Sequence, residues 1–209
     1  MLKKIGLNKY LGASYYIRLL YTITEMKKQF LVLIGMLLFC EITYAQKSIA
    51  DFEIIEDSTN IFKSIDDFFK LDKFKGKVIY VDVWGTRCGP CIKEFEYHKD
   101  LKEKFKDKSV EFLYLCSPYS MNWDSQNVEL WKKLIVKHNL EGLNVFMSPY
   151  CYMDGFFEKY SDKYTEREKY GIPAYLLVNK NGQIVNFKAP RPSSKNELYD
   201  EIESLLNEK

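Results

Sequence analysis

At 209 residues, with 46% apolar and 16% aromatic side chains, the chain is long enough for one well-packed domain with additions and short for two. Its 31 basic and 29 acidic residues nearly cancel, which gives no electrostatic case for nucleic acid; the many Lys and Glu residues read as a solvated surface. Five cysteines are too few to staple a chain of this size, so any cysteine pair is there for chemistry.

The amino terminus reads as a targeting segment. Met26, Lys27 and Lys28 precede an apolar run from Phe30 to Cys40, and Thr43 to Ala45 supplies small residues where a signal peptidase reads. The sequence predicts a signal peptide over residues 26–45, cleaved after Ala45, with residues 1–25 an extension upstream of a true start at Met26. The apolar run is short of the roughly 20 residues a membrane-crossing helix needs, so an uncleaved anchor is the lesser reading. A lipid-modified signal through Cys40 is disfavoured by the bulky Phe39 before it. Losing residues 1–45 removes six basic and two acidic side chains, which moves the net charge from +2 to about −2. It leaves Cys88, Cys91, Cys116 and Cys151 in an oxidising compartment, where a free dithiol persists only if something keeps reducing it.

The remaining domain, residues 46–209, opens with a short strand near Asp51 to Ile55. A helix follows, with Ser64 and Asp67 as a capping box and Ile65, Phe68 and Phe69 as its apolar face. Then comes the stretch that organises the chain. Val78 to Trp84 is an almost unbroken β-branched and aromatic run, a buried strand; Gly85 follows, and Cys88-Gly89-Pro90-Cys91 opens a segment of helical periodicity.

That places a dithiol at a helix start, where free N–H groups and the positive end of the macrodipole favour a thiolate at Cys88. In such settings a thiol pKa falls from about 8.5 to roughly 3.5–7.5. Pro90 suits the first turn, where its missing N–H costs nothing. Cys91, one turn inward, is expected to be buried and to stay a thiol until needed. A zinc site is the competing use of such a pair, but structural zinc takes four ligands and the chain has no second Cys-x-x-Cys or His pair, so no metal is expected. Asp82 stands inside the apolar strand; burial raises the pKa of a carboxyl there and fits it to take the Cys91 proton, whereas a surface-facing Asp at a strand end would do nothing of the kind.

Ile92, Phe95, Leu101 and Phe105 recur at helical spacing, so the helix is expected to run to about Lys106. His98 borders that stripe two turns from Cys91, roughly 10 Å along the axis, and reads as a packed or surface histidine rather than a proton shuttle. Val110 to Cys116 is a strand, Ser125 to His138 an amphipathic helix with Val128, Trp131, Leu134 and Ile135 on one face, and Leu143 to Met147 another strand. Pro149 to Tyr170 is rich in aromatics, read as a helix packing on the sheet in preference to a groove for a polypeptide. Cys116 and Cys151 are expected as buried thiols, with a second disulfide between them the lesser reading. Ala174 to Asn179 is a strand, Asn181-Gly182 a type I′ turn, Gln183 to Phe187 the returning strand, and Ser194 with Glu197 the capping box of a last helix.

Two separated motifs, Val81-Asp82-Val83-Trp84-Gly85 with Cys88-Gly89-Pro90-Cys91, and Gly171-Ile172-Pro173, resemble the thioredoxin superfamily, and residues 50 to 209 look like its exported TlpA/ResA-like branch. The resemblance implies an α/β fold, a thioredoxin-like three-layer sandwich of a mixed central sheet and flanking helices, with the helix and strand of 125–147 as a central insertion that peroxiredoxins and glutathione peroxidases share. It implies that the bond before Pro173 is cis, beside the dithiol, where Ile172 and Pro173 meet substrate together with Trp84, Gly89 and Pro90. It matches Asp82 to the buried acid of thioredoxin. Arg87 departs from the family, which commonly has a second Trp there; a cation beside Cys88 lowers its pKa further and disfavours basic partners.

These readings converge on an extracytoplasmic thiol:disulfide oxidoreductase, reductase in preference to oxidase. Its catalytic groups are Cys88, Cys91 and Asp82. The Cys88–Cys91 redox-active disulfide takes the place of a cofactor, its substrates are disulfides or dithiols of exported proteins, and a membrane-bound thiol electron carrier resets it. A peroxidase is disfavoured because the peroxiredoxin Thr or Ser three residues before the reactive cysteine, with its intervening Pro, is missing. A non-catalytic binding or chaperone module stands as the reading of a different class.

Overall fold

The computed structural model describes residues 18, 21–32, 34, 47–165, 168 and 171–208. The chain divides into two compact units, Met1–Gln46 and Lys47–Lys209. In the first, residues 21–32 are helical, and among the described residues no helix is long and apolar enough to cross a membrane. The expected cleavage point at Ala45 and most of the apolar run before it lie outside the described residues.

The second unit is built on a six-stranded sheet: β1 (Glu53–Glu56), β2 (Val78–Trp84), β3 (Val110–Cys116), β4 (Leu143–Phe146), β5 (Ala174–Val178) and β6 (Ile184–Asn186), in the order β1-β4-β3-β2-β5-β6. The first four are parallel and β5 and β6 antiparallel, so the sheet is mixed. Every residue of β2 is buried, because it pairs with β3 on one side and β5 on the other and carries helices on both faces. That explains its continuous apolar sequence.

Alternation along β2 sorts the two cores. Val78, Tyr80 and Trp84 face the helices α2 (Gly89–Glu94), α3 (His98–Phe105), α4 (Ser125–His138) and α6 (Asn196–Asn207). Ile79, Val81 and Val83 face the opposite layer, made by α1 (Asp66–Phe69) and by α5 (Pro149–Tyr152) with the π-helical turn Met153–Glu158 that continues it. This is the expected three-layer sandwich. The insertion does more than fill a loop: β4 pairs with β3 on one side and seats β1 on the other, so the sheet's edge depends on it.

Several local expectations are corrected. The first strand begins at Glu53, after a 3₁₀ turn over Ile49–Asp51. The helix after the dithiol tightens to 3₁₀ over Phe95–Tyr97 before continuing as α3. Asn181-Gly182 is not type I′: only Gly182 has positive φ, +75°. The Asn179 carbonyl accepts the Gly182 N–H at 2.9 Å and its side-chain oxygen takes the N–H groups of Asn181 and Gln183, a longer turn closed by a shift of register between β5 and β6. Ser194 does not cap the last helix. A 3₁₀ turn, Pro192–Ser194, precedes it, and Lys195 at φ +46° forms its start without a side-chain cap. The aromatic stretch packs as expected, with Tyr152, Phe156 and Phe157 buried against the sheet and Tyr150 exposed; Tyr170 lies outside the described residues.

Gly155 locks that layer. Its carbonyl accepts from Ile65 N–H and Ser64 hydroxyl, and a Cβ at this position would stand 2.3 Å from the Lys63 carbonyl oxygen, which is backbone and cannot step aside. Gly155→Ala is therefore expected to cost stability by about 1–3 kcal/mol through overpacking, read as a lowered urea midpoint.

Candidate active site

β2 ends at Trp84, and four residues later the chain turns into α2 with Cys88 at its N-cap. The Cys88 and Cys91 sulfurs are bonded at 2.03 Å. Cys88 is half-buried while Cys91 is sealed in the core, so one sulfur is reachable and the other waits behind it. The Cys91 backbone N–H donates to Cys88 Sγ at 3.2 Å, one of the free amides of the first turn turned onto the more exposed sulfur. Pro90 lies in that first turn, and Gly89 and Pro90 are exposed beside Cys88.

The Ile172–Pro173 bond is cis, and both residues are half-buried. This loop meets the dithiol strand at Gly85, where a Cβ would come within 2.7 Å of Ile172 Cδ1 and 3.0 Å of the Ser117 and Tyr119 side-chain oxygens. Glycine is what lets the loops of 117–119 and 172–173 close against the end of β2. Arg87 is exposed; its N–H donates to the Tyr119 hydroxyl at 2.8 Å and its guanidinium lies 5.5 Å from that ring's centre. Of the residues expected to touch substrate, Trp84 differs: it is fully buried, edge-on to Phe95 at 5.0 Å, so it supports the site from within the core and offers no surface.

Asp82 is 1% exposed and faces the same core as Trp84 and Cys91. Burial pushes its carboxyl up from the ordinary value; His98 opposes that shift and Glu94 adds to it. Two interactions around it escaped the sequence reading. Glu94, 6% exposed, accepts from Ser193 N–H at 2.9 Å and Ser193 Oγ at 3.0 Å, with Arg191 Nη1 3.7 Å away. Its signal was its place three residues after Cys91, on the same helix face. His98 is packed, as expected, but against Asp82: its Nε2 lies 3.3 Å from Asp82 Oδ2. Its distance from Cys91 along the helix spoke only against contact with the sulfur, not with the carboxylate.

Cys116 and Cys151 are free and buried, and burial pushes both thiols up, Cys151 to about 12. After reduction, alkylation near pH 7 should therefore label Cys88 fast and leave Cys116 and Cys151 untouched until denaturant is added, as peptide mass mapping reports. Asp82 gives a second expectation. A buried acid with a raised pKa holds its proton in the folded state where the unfolded chain has lost it, so its ionisation costs stability as pH rises through the folded pKa. Asp82→Asn removes that cost: urea melts should show the variant's relative stability higher at pH 8 than at pH 4.

The Redoxin family model matches residues 58–202. Thiol-disulfide oxidoreductase ResA of Bacillus thuringiensis subsp. konkukian is 31% identical over 120 residues, covering 56% of this chain and 57% of that protein, so the chain spans little more than half the length of that relative. The chloroplastic phospholipid hydroperoxide glutathione peroxidase of Pisum sativum is 26% identical over 194 residues, covering 80% of this chain and 81% of its own. Among solved structures, the thioredoxin domain of a thiol-disulfide oxidoreductase from Bacteroides vulgatus aligns at 27% identity and TM-score 0.49, covering 66% of this chain and 84% of that one. The chain belongs to the Redoxin family, as a thioredoxin-superfamily protein of the TlpA/ResA-like kind.

Proposed function

We propose that the protein is an extracytoplasmic thiol:disulfide oxidoreductase that reduces disulfides of exported proteins. The observation that carries this reading is the pairing of a reachable sulfur, Cys88, which receives a helix-start N–H, with a sealed one, Cys91, in the same core as a buried carboxyl. In the reduced protein the Cys88 thiolate attacks one sulfur of a substrate disulfide; that S–S bond breaks, a mixed disulfide forms, and the leaving thiolate takes a proton. Cys91 then gives its proton to the Asp82 carboxylate and attacks Cys88 Sγ. The mixed disulfide breaks, the second substrate thiolate leaves, and two electrons have passed to the substrate as Cys88 and Cys91 join.

Gly89 and Pro90, exposed beside Cys88, and the Ile172-Pro173 loop supply the surface on which the substrate chain lies. Arg87 adds a positive charge there and disfavours basic partners. A membrane-bound thiol carrier restores the dithiol, and the signal peptide of 26–45 delivers the protein to it. The pea hydroperoxidase match gives a peroxidase reading one specific support; rapid consumption of hydroperoxide by the reduced protein would favour it over disulfide reduction.

Cys91→Ser should accumulate a mixed disulfide visible on a non-reducing gel, while Cys88→Ser abolishes both adduct and turnover. Asp82→Asn should slow resolution of that adduct by about 10²-fold or more, the ordinary range of general-base help, without slowing its formation comparably. Wild-type activity retained by the double serine variant would instead mark a non-catalytic module. A strongly oxidising potential for the Cys88–Cys91 pair would reverse the direction assigned, and a mature chain beginning before Gln46 would remove the signal peptide.

A further inference from the structure

We propose that His98 is a positioning residue for the exchange reaction: held by Tyr114, its ring faces Asp82 and keeps that carboxylate ready to take the Cys91 proton. The inference rests on the exchange reading above. The strand register sets Asp82 of β2 directly opposite Tyr114 of β3, and the helix stripe Cys91, Phe95, His98 lies over both. All three polar groups are sealed: Asp82 is 1% exposed, Tyr114 1% and His98 2%. The imidazole is gripped from two sides, edge-on by Phe95 and tilted over Tyr114, each with ring centres 5.3 Å apart.

The hydrogen bonding gives the ring two useful states. His98 Nδ1 is 2.8 Å from the Tyr114 hydroxyl. With the hydroxyl donating to Nδ1, the ring proton sits on Nε2 and points toward the Asp82 carboxylate. With Nδ1–H donating to the hydroxyl instead, Nε2 becomes an acceptor for a protonated Asp82. The Nε2–Oδ2 contact, 3.3 Å, is long and oblique, and among the described residues neither Asp82 oxygen meets another hydrogen-bond donor. Contacts of this kind tighten as charge develops.

The other ionisable groups around the pair do not replace His98. Glu94 on α2 disfavours the carboxylate, and Tyr80 and Tyr175 on β2 and β5 are neutral hydroxyls whose own ionisation Asp82 opposes. His138 on α4 feels His98 as a like charge, and the Lys102 amine, 5.3 Å from the centre of the Tyr114 ring, donates to the Glu141 carbonyl. Among the described residues, His98 is the group that favours the ionised acid.

The test is the pH profile of mixed-disulfide resolution, followed in a single turnover of the full-length protein, with the Asp82 carboxyl stretch titrated by difference infrared spectroscopy. His98→Leu removes both partners' contacts. His98→Asn places an amide near Nδ1, keeping Tyr114 but losing Asp82, whereas His98→Gln reaches the Nε2 position and keeps a donor on Asp82. Leu and Asn should move the rising limb to higher pH, making resolution about tenfold slower on the limb for each unit of displacement while the alkaline plateau is kept. Gln should restore the wild-type limb. In an Asp82→Asn background, His98→Asn should add nothing. A slowdown uniform across pH, or coincident limbs for Asn and Gln, would overturn the proposal. If the wild-type protein forms no mixed disulfide, the exchange reading itself fails, and an infrared titration of Asp82 unmoved by His98→Asn would then remove the pairing as well.

Discussion

Burial of β2 on both faces is the constraint on which the site depends. A strand paired on both edges and covered by two helical layers can place a carboxyl in the core only at a cost, and Asp82 pays it within the same core as Cys91. The same strand, by ending at Trp84, sets where α2 can begin. Its last residues therefore set both the first turn that carries Cys88 and the buried acid in the core that Cys91 shares. Neither could be moved alone, because the register Asp82↔Tyr114 and Trp84↔Cys116 ties both to β3.

Two buried acids in one small core call for different handling, and the structure treats them differently. Glu94 is satisfied: Ser193 supplies two donors from the turn before the last helix, and Arg191 stands nearby. Among the described residues, Asp82 has one polar partner at contact distance, His98. A carboxylate bonded by two good donors is fixed in place, whereas one with a single long contact keeps oxygens open to a proton. The difference in hydrogen bonding separates a structural tie from a group suited to proton transfer.

The dithiol, the buried strand before it and the amphipathic helix of 125–138 were legible in the sequence because each depends on local pattern: a period of two or 3.6, a Gly-Pro break, a run of β-branched residues. Misreadings came where tertiary context overrode local chemistry. Ser194 looked like a cap, yet the helix starts at Asn196, behind Lys195 and a 3₁₀ turn whose middle residue, Ser193, is bonded to Glu94. Asn181-Gly182 looked like a two-residue turn, yet the Asn179 side chain gathers two backbone N–H groups and lengthens it. The cis bond before Pro173 followed from resemblance alone, since an Ile-Pro pair is cis in only about one case in twenty.

His98 shows why a linear distance misleads in a layered fold. Measured along its own helix it is remote from Cys91, and that spacing is real. But a helix laid across a sheet meets a strand residue wherever the two cross, and the crossing is set by side-chain packing rather than by sequence separation. Here Phe95 wedges against Trp84 on one side and His98 on the other. That stacking brings the imidazole over Asp82 and Tyr114, each 16 residues away along the chain. A histidine on an apolar helical stripe thus identifies where to look on the strand beneath, and a buried acid found there turns a packing residue into part of the site.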